Sequence, residues 1–137
     1  MDELQNFIIS PERLPYIRVK ILPGVEIKRL NIDESLGIWS VLVRIEPGSF
    51  LPAHQNSDMC EMYVIKGKGC YTQDGVFMAG GYIRENAGAY AQMGAEEEVM
   101  LFMTHHGACT FLNQDGTNML TADILFFKEQ ISDRNLL

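Results

Sequence analysis

The chain has 137 residues, a formal net charge of −7, 47% hydrophobic residues and 21% charged residues. This length fits one domain with one hydrophobic core, and the negative charge disfavours nucleic acid and anionic membrane surfaces as partners. No run of about 18 apolar residues predicts a membrane-spanning helix, and the acidic start, Met1 to Leu4, lacks the pattern of a signal peptide. Cys60, Cys70 and Cys109 are scattered without paired spacing, which predicts reduced thiols in a cytoplasmic protein.

Short apolar runs separated by glycine and proline dominate the chain, a pattern typical of strands. Residues 1–15 hold two prolines and weak periodicity, so they predict an N-terminal arm ahead of a single domain over residues 16–137. In chain order the predicted strands are Tyr16–Leu22, Val25–Leu30, Ile38–Ile45, Met59–Ile65, Cys70–Gln73, Val76–Ala79, Tyr82–Glu85, Val99–His106, Cys109–Asn113 and Asn118–Thr121.

The turns and the chain end complete this pattern. Asp74–Gly75 and Asp115–Gly116 are strong hairpin signals. After Asp123, apolar residues recur at helical spacing as far as Ile131, which predicts a short C-terminal helix. About nine or ten short strands with such frequent turns predict an all-β sandwich or barrel.

One stretch carries a candidate site. His54 follows Gly48 after five residues, Asn56 comes two positions later, and Glu61 lies on the next predicted strand. Two side chains separated by one residue on a strand point to the same face. A histidine in that place can share a metal with its second neighbour and with a carboxylate on the paired strand.

This spacing is that of the first cupin motif, and further stretches extend the similarity: Pro23–Leu30, Gly37–Gly48, Leu51–His54, Tyr63–Gly67, Gly81–Gly88 and Gly107–Gly116. Over about residues 22–127 the chain resembles the cupin superfamily, and within it small cupins similar to 2,4′-dihydroxyacetophenone dioxygenase and acetylacetone dioxygenase. The resemblance implies an RmlC-like double-stranded β-helix barrel, a homodimer and an oxidoreductase that cleaves a carbon–carbon bond of a small diketone or hydroxyketone.

The resemblance also implies a metal centre. In the resembled dioxygenases three histidines hold a ferrous iron, and in this chain His54, Asn56 and Ala91 stand at those positions. A divalent metal (iron, nickel or zinc) would then be held by His54, Glu61 and His106. Further cavity residues would be Asn56, Tyr63, Tyr71, Gln73, Phe102, Thr104 and His105.

Two alternatives stay open. His105 and His106 are adjacent on a predicted strand, so at most one of them can enter the barrel, and either could instead hydrogen-bond in the core or at the strand end. A metal-independent cupin that binds a small apolar ligand is the alternative function. Asn56 and Gln73 would then be hydrogen-bonding groups, and methionines and aromatic residues would form the cavity wall.

Overall fold

The computed structural model describes residues 6–127 and consists mainly of antiparallel strands. The twelve strands of this part of the chain are β1 (Ile17–Arg18), β2 (Val25–Asp33), β3 (Ile38–Ile45), β4 (Phe50–Asn56), β5 (Cys60–Lys66), β6 (Lys68–Tyr71), β7 (Gly75–Met78), β8 (Tyr82–Glu85), β9 (Tyr90–Ala95), β10 (Val99–His105), β11 (Cys109–Leu112) and β12 (Asn118–Ala122).

These strands form two six-stranded sheets. The first, named here the β3 sheet, has the order β1-β2-β3-β10-β5-β8, and the second, the β4 sheet, has the order β12-β11-β4-β9-β6-β7. Most of these strands have one buried face, as the alternation of Val41, Val43 and Ile45 on β3 illustrates. The two inner faces meet in a single core, so the predicted all-β fold is confirmed.

Sequence patterns located several elements well and missed others. The structure has β3 and β8 with the predicted bounds, whereas two strands, β4 and β9, lie where no apolar run stands out. The burial pattern of β9 alternates and that of β4 is broken by a bulge, and these two strands contain Pro52, Gln55 and Gln92, which weaken a hydrophobic signal. The predicted two-residue turn at Asp74–Gly75 is a longer loop, because β6 pairs Tyr71 with Gly75.

The segment before β1 contacts the outer face of the β3 sheet. Within it, Pro11–Arg13 form a 3-10 helix, and the backbone carbonyl of Pro11 accepts a hydrogen bond from Lys28 Nζ at 2.8 Å. The ring of Tyr16 lies 4.5 Å from Lys28 Nζ and 4.2 Å from Arg44 Cζ. These contacts hold the described part of the predicted arm against β2 and β3.

A short helix follows β12, as the sequence predicts. It starts after Asp123, whose carboxylate accepts the backbone N–H of Phe126 at 2.8 Å in the manner of an N-cap. Its described part spans residues 124–127, and Phe127 packs against Trp39 in the core. The predicted continuation to Ile131 lies outside the described residues. Within residues 6–127, no helix is long and apolar enough to cross a membrane.

Candidate functional site

A bulge in β4 determines which of its side chains enter the barrel. Leu51 and His54 are three positions apart, yet both are buried, at 4% and 2% exposure. Strict alternation would place them on opposite faces, but the register with β9 shifts between these two residues. Beyond the bulge, His54 and Asn56 both point inward, as the sequence predicts for residues two positions apart.

The inward side chains of β4 meet a carboxylate from the opposite sheet. Glu85, at the end of β8 and 3% exposed, lies with its Oε1 and Oε2 atoms 2.9 and 3.1 Å from His54 Nε2. Asn56 Nδ2 donates to Glu85 Oε1 at 2.8 Å, and Tyr71 OH donates to Glu85 Oε2 at 2.7 Å. Glu85 therefore collects donors from β4 and β6 and links the two sheets.

The hydrogen bonds indicate an ion pair at this point. His54 Nδ1 lies 2.9 Å from the carbonyl oxygen of Pro52, which can only accept, while Nε2 faces the Glu85 carboxylate. Both ring nitrogens thus face acceptors, and a histidine satisfies two acceptors by carrying a proton on each nitrogen. We assign an imidazolium at His54 and a carboxylate at Glu85.

The surroundings of Glu85 support its charged form. Burial raises the pKa of the Glu85 carboxyl, but the hydrogen bond and charge of His54, with the donors Tyr71 and Asn56, more than offset this, so the pKa lies below its ordinary value. Burial and the bond to Glu85 raise the pKa of the Tyr71 hydroxyl, which therefore remains a donor.

A second buried cluster lies on the opposite inner face and contains no charge. His105 is 4% exposed, stacks on Trp39 with ring centroids 3.9 Å apart, and places Nε2 3.4 Å from Cys60 Sγ. Burial lowers the pKa of His105 to about 3, and burial raises the pKa values of the Cys60 and Cys109 thiols. At neutral pH these three groups are uncharged and poorly reactive.

An apolar cavity lies inside the barrel, in contact with His54 and with the stacked pair Trp39 and His105. Its volume is about 50 Å³, and His54, Trp39, His105 and Phe111 are among its lining residues. The remaining wall is aliphatic and aromatic: Val19, Leu22, Val25, Ile27, Val41, Val43, Leu51, Met62, Met103, Cys109, Leu120, Ala122, Phe126 and Phe127. One ordered water needs roughly 10–15 Å³ of such space, so the cavity has room for about three to five water-sized groups.

The structure does not bring the predicted metal ligands together. Glu61 alternates with the fully buried Cys60 and lies on the outer face of β5, where it pairs in register with Arg84. His106 is half-buried one position beyond β10, while its neighbour His105 occupies the inward position. Of the three, only His54 lines the cavity, because a shift of one residue on a strand reverses the face.

Four of the predicted cavity residues also lie elsewhere. Tyr63, Phe102 and Thr104 are on the outer face of the β3 sheet, with Tyr63 and Phe102 50% and 37% exposed. Gln73 is exposed in the loop between β6 and β7, with a backbone φ of 57°. Asn56, Tyr71 and His105, in contrast, are part of the two inner clusters.

The donors present do not fit a three-histidine iron centre. The second and third histidine positions hold Asn56 and Ala91, and an amide oxygen is a weak donor to a transition metal. Both nitrogens of His54 are bound to acceptors. Among the residues that the structure describes, no three His, Cys, Asp or Glu side chains converge in a way that could hold a metal.

Sequence reasoning missed Glu85, the centre of the buried network. A signal was available: Glu85 shares the inward face of β8 with Ile83, so it is a carboxylate on an otherwise apolar strand face. Such a residue is rarely buried without a partner. The role of the Pro52 carbonyl had no signal, because it depends on the bulge.

Comparisons with known proteins agree with this architecture. The profile of the ChrR cupin-like domain family matches residues 4–110. The fold is similar to an RmlC-like cupin protein of Ralstonia eutropha JMP134, with a TM-score of 0.85, 17% identity and coverage of 94% of this chain and 86% of that one. A cupin-like protein of unknown function from the same organism has a TM-score of 0.83 and 22% identity, with coverage of 98% and 87%.

An enzyme is among the similar structures. An acetylacetone dioxygenase from Acinetobacter johnsonii has a TM-score of 0.82 and 17% identity, with coverage of 94% of this chain and 92% of that one. These likenesses confirm the predicted cupin fold. No curated protein matches the sequence significantly.

Proposed function

The chain belongs to the ChrR cupin-like domain family, and from this premise and the geometry of the barrel we propose that it binds a small, mainly apolar molecule without a metal. The observation that carries the proposal is the hydrogen bonding of His54. This residue lines an apolar cavity, yet both of its nitrogens are bound to acceptors. An imidazolium has no lone pair for a metal.

The ion pair of His54 and Glu85 performs the structural role that a bound metal would have in the barrel. A metal bound by several strands fixes their inner side chains, and here Glu85 does so by accepting bonds from His54, Asn56 and Tyr71. Of this polar network only His54 lines the cavity, so the rest of the wall offers mainly apolar surface to a ligand. Burial of a ligand against that wall supplies the binding free energy, at about 25 cal/mol per Å² of apolar surface.

Two measurements test the proposal. The first is metal content of protein purified without a histidine tag. We expect metal well below stoichiometry, unchanged in His54→Ala. Stoichiometric iron, nickel or zinc that is lost in His54→Ala would overturn the proposal.

The second measurement is ligand binding followed by the fluorescence of Trp39, which is the single tryptophan and lines the cavity. Small apolar molecules should change its emission saturably. Ala122→Leu, which fills part of the cavity, should abolish the change, whereas Ala89→Leu in an exposed loop should not. Equal responses in both variants would contradict binding inside the barrel.

Dioxygenase activity is the second candidate function, favoured by the likeness to the Acinetobacter johnsonii enzyme over nearly the whole chain. It would require a ferrous ion with three neutral donors, and the donor set around His54 does not provide them. Oxygen consumption by iron-loaded protein with acetylacetone tests this candidate. Turnover lost in His54→Ala would favour it over metal-free binding.

A homodimer is also part of the proposal, with a second copy packed on the outer face of the β3 sheet. There Phe102, Tyr63 and Tyr82 form a register-aligned exposed row across β10, β5 and β8. Glu61 and Arg84 border the row on one side, and Lys66 with Glu98 on the other. Both sides of the row thus carry acidic and basic residues, which can pair with residues of opposite charge on a second copy that presents the same face. Tyr63→Glu should give a monomer in sedimentation, and an unchanged dimer would refute this interface.

A further inference from the structure

We propose that the ligand of the barrel cavity is a small hydrocarbon that carries no hydrogen-bonding group at all. This inference rests on the proposed function and names the ligand class for the same cavity. The observation that carries it is the chemistry of the wall, because no nitrogen or oxygen atom of residues 6–127 contributes to the surface of the cavity. A ligand inside it therefore meets carbon and sulfur atoms only.

The polar atoms of the wall residues are turned towards other partners. Trp39 Nε1 donates to the carbonyl oxygen of Gly107 at 2.7 Å, and both ring nitrogens of His54 face acceptors outside the cavity wall. His105 Nε2 lies 3.4 Å from Cys60 Sγ. These three rings thus present carbon atoms to the cavity, although each of them contains nitrogen.

The buried network offers a ligand no polar group either. Of its four side chains only His54 lines the cavity, whereas Asn56, Tyr71 and Glu85 do not. Cys109 adds a thiol to the wall, but a thiol is only a weak donor. A ketone, ether or hydroxyl oxygen would therefore give up its hydrogen bonds to water without a replacement, and this desolvation opposes binding.

Water is a poor occupant of the cavity for the same reason. A buried water typically makes about three hydrogen bonds, and this wall supplies no partner for them. Where water cannot enter, the atoms of the wall lack dispersion contacts on one side, and a hydrocarbon restores these contacts. Because a hydrocarbon has no hydrogen bond to lose, all of the surface that it buries favours binding.

The volume of the cavity sets the size of the ligand. About 50 Å³, at roughly 10–15 Å³ for each water-sized group, corresponds to about three to five methylene groups. Four aromatic rings of the wall surround this space: Trp39, Phe111, Phe126 and Phe127. The small diketones and hydroxyketones that the sequence resemblance implies carry two oxygen atoms each, so this wall disfavours them.

Cyclopentane and tetrahydrofuran test the inference, because these five-membered rings differ only in the exchange of one methylene group for an ether oxygen. We would titrate the wild-type protein with each ring and follow Trp39 fluorescence. An oxygen that loses its bonds to water should raise the Kd of tetrahydrofuran at least about tenfold above that of cyclopentane.

Two variants locate and extend this binding. Ala122→Leu fills part of the cavity and should abolish the binding of cyclopentane, whereas Ala89→Leu in an exposed loop should not change it. Leu120→Ala removes carbon atoms from the wall and adds no polar side-chain atom, so it makes room for both rings and should keep the preference for cyclopentane.

The outcomes separate this inference from the proposed function. Tetrahydrofuran that binds the wild type saturably and as tightly as cyclopentane would overturn the inference and leave the proposed function intact. Binding of neither ring, to wild type or to Leu120→Ala, would overturn the proposed function itself. Cyclopentane binding that persists unchanged in Ala122→Leu would place the ligand outside the barrel and overturn both. The wild-type ratio decides the inference even if a variant does not fold.

Discussion

Glu85→Gln is the most direct test of the buried network, because it removes one charge with little change in shape. Glu85 is 3% exposed and faces donors from His54, Asn56 and Tyr71. A glutamine keeps one acceptor oxygen and turns an N–H group towards at least one of these donors. The imidazolium of His54 also loses its counter-charge.

The size of the effect follows from these losses. A hydrogen bond to a charged group contributes about 1.5–3 kcal/mol, and removal of one partner from a buried ion pair costs about 3–5 kcal/mol. We therefore expect the free energy of unfolding to fall by about 3 kcal/mol near neutral pH.

The pH dependence has a defined sign. The pKa of Glu85 is lower in the folded protein than its ordinary value of 4.5, so the stabilisation is present above that value and is lost as the pH falls through the folded-state pKa. Glutamine does not titrate. The stability difference between wild type and Glu85→Gln should therefore shrink as the solution becomes more acidic than about pH 4.5.

Urea unfolding followed by Trp39 fluorescence measures both quantities. The matched control is Glu61→Gln on the outer face of neighbouring β5, where we expect a change of at most about 0.5 kcal/mol because Glu61 is only half-buried and charges near the surface contribute little. A loss below about 1 kcal/mol in Glu85→Gln, or one equal to that of Glu61→Gln, would refute the assigned ion pair.

Three further predictions concern the cysteines, a turn and the second cluster. In the native protein only the exposed Cys70 should react rapidly with a thiol reagent, because burial shields Cys60 and Cys109 and raises the pKa values of their thiols. Fast reaction of all three cysteines would contradict the burial of Cys60 and Cys109. Gly67→Ala should lower the free energy of unfolding by about 3 kcal/mol, because the backbone φ of Gly67 is +91° and an added Cβ would lie 2.1 Å from the Glu98 carbonyl oxygen. Gly37→Ala, which also has a positive φ but open space around the added Cβ, should lower it by only about 1 kcal/mol. Similar unfolding midpoints for the two variants would argue against the close approach at Gly67. The NMR signals of the His105 ring should not titrate between about pH 4 and 8, because burial lowers the pKa of His105 to about 3. Since the same histidine takes up a proton near pH 6.5 in the unfolded chain, the free energy of unfolding should decrease as the pH falls below 6.5. A titration of the ring between about pH 4 and 8 would show that the ring is exposed.

The sequence was sufficient for the fold class and for much of the strand pattern. Ile38–Ile45 is a mostly apolar run around Trp39 that ends before Pro47–Gly48, and Tyr82–Glu85 directly follows Gly80–Gly81, so both strands could be located from local signals. The inward direction of His54 and Asn56 followed from the period of two residues along a strand. These features depend on residues that are neighbours in the chain, so they can be predicted from the sequence alone.

The tertiary structure alone decided which side chains meet. Cys60 rather than Glu61 faces the core because of the register of β5 with β10 and β8, and the bulge in β4 turns the Pro52 carbonyl towards His54. Glu85 reaches His54 only because two sheets pack face to face. The protonation state assigned to His54 depends on the Pro52 carbonyl and the Glu85 carboxylate together, and a local sequence pattern does not reveal that combination. Strand formation is a short-range property, whereas the chemistry of this barrel depends on contacts between residues far apart in the chain.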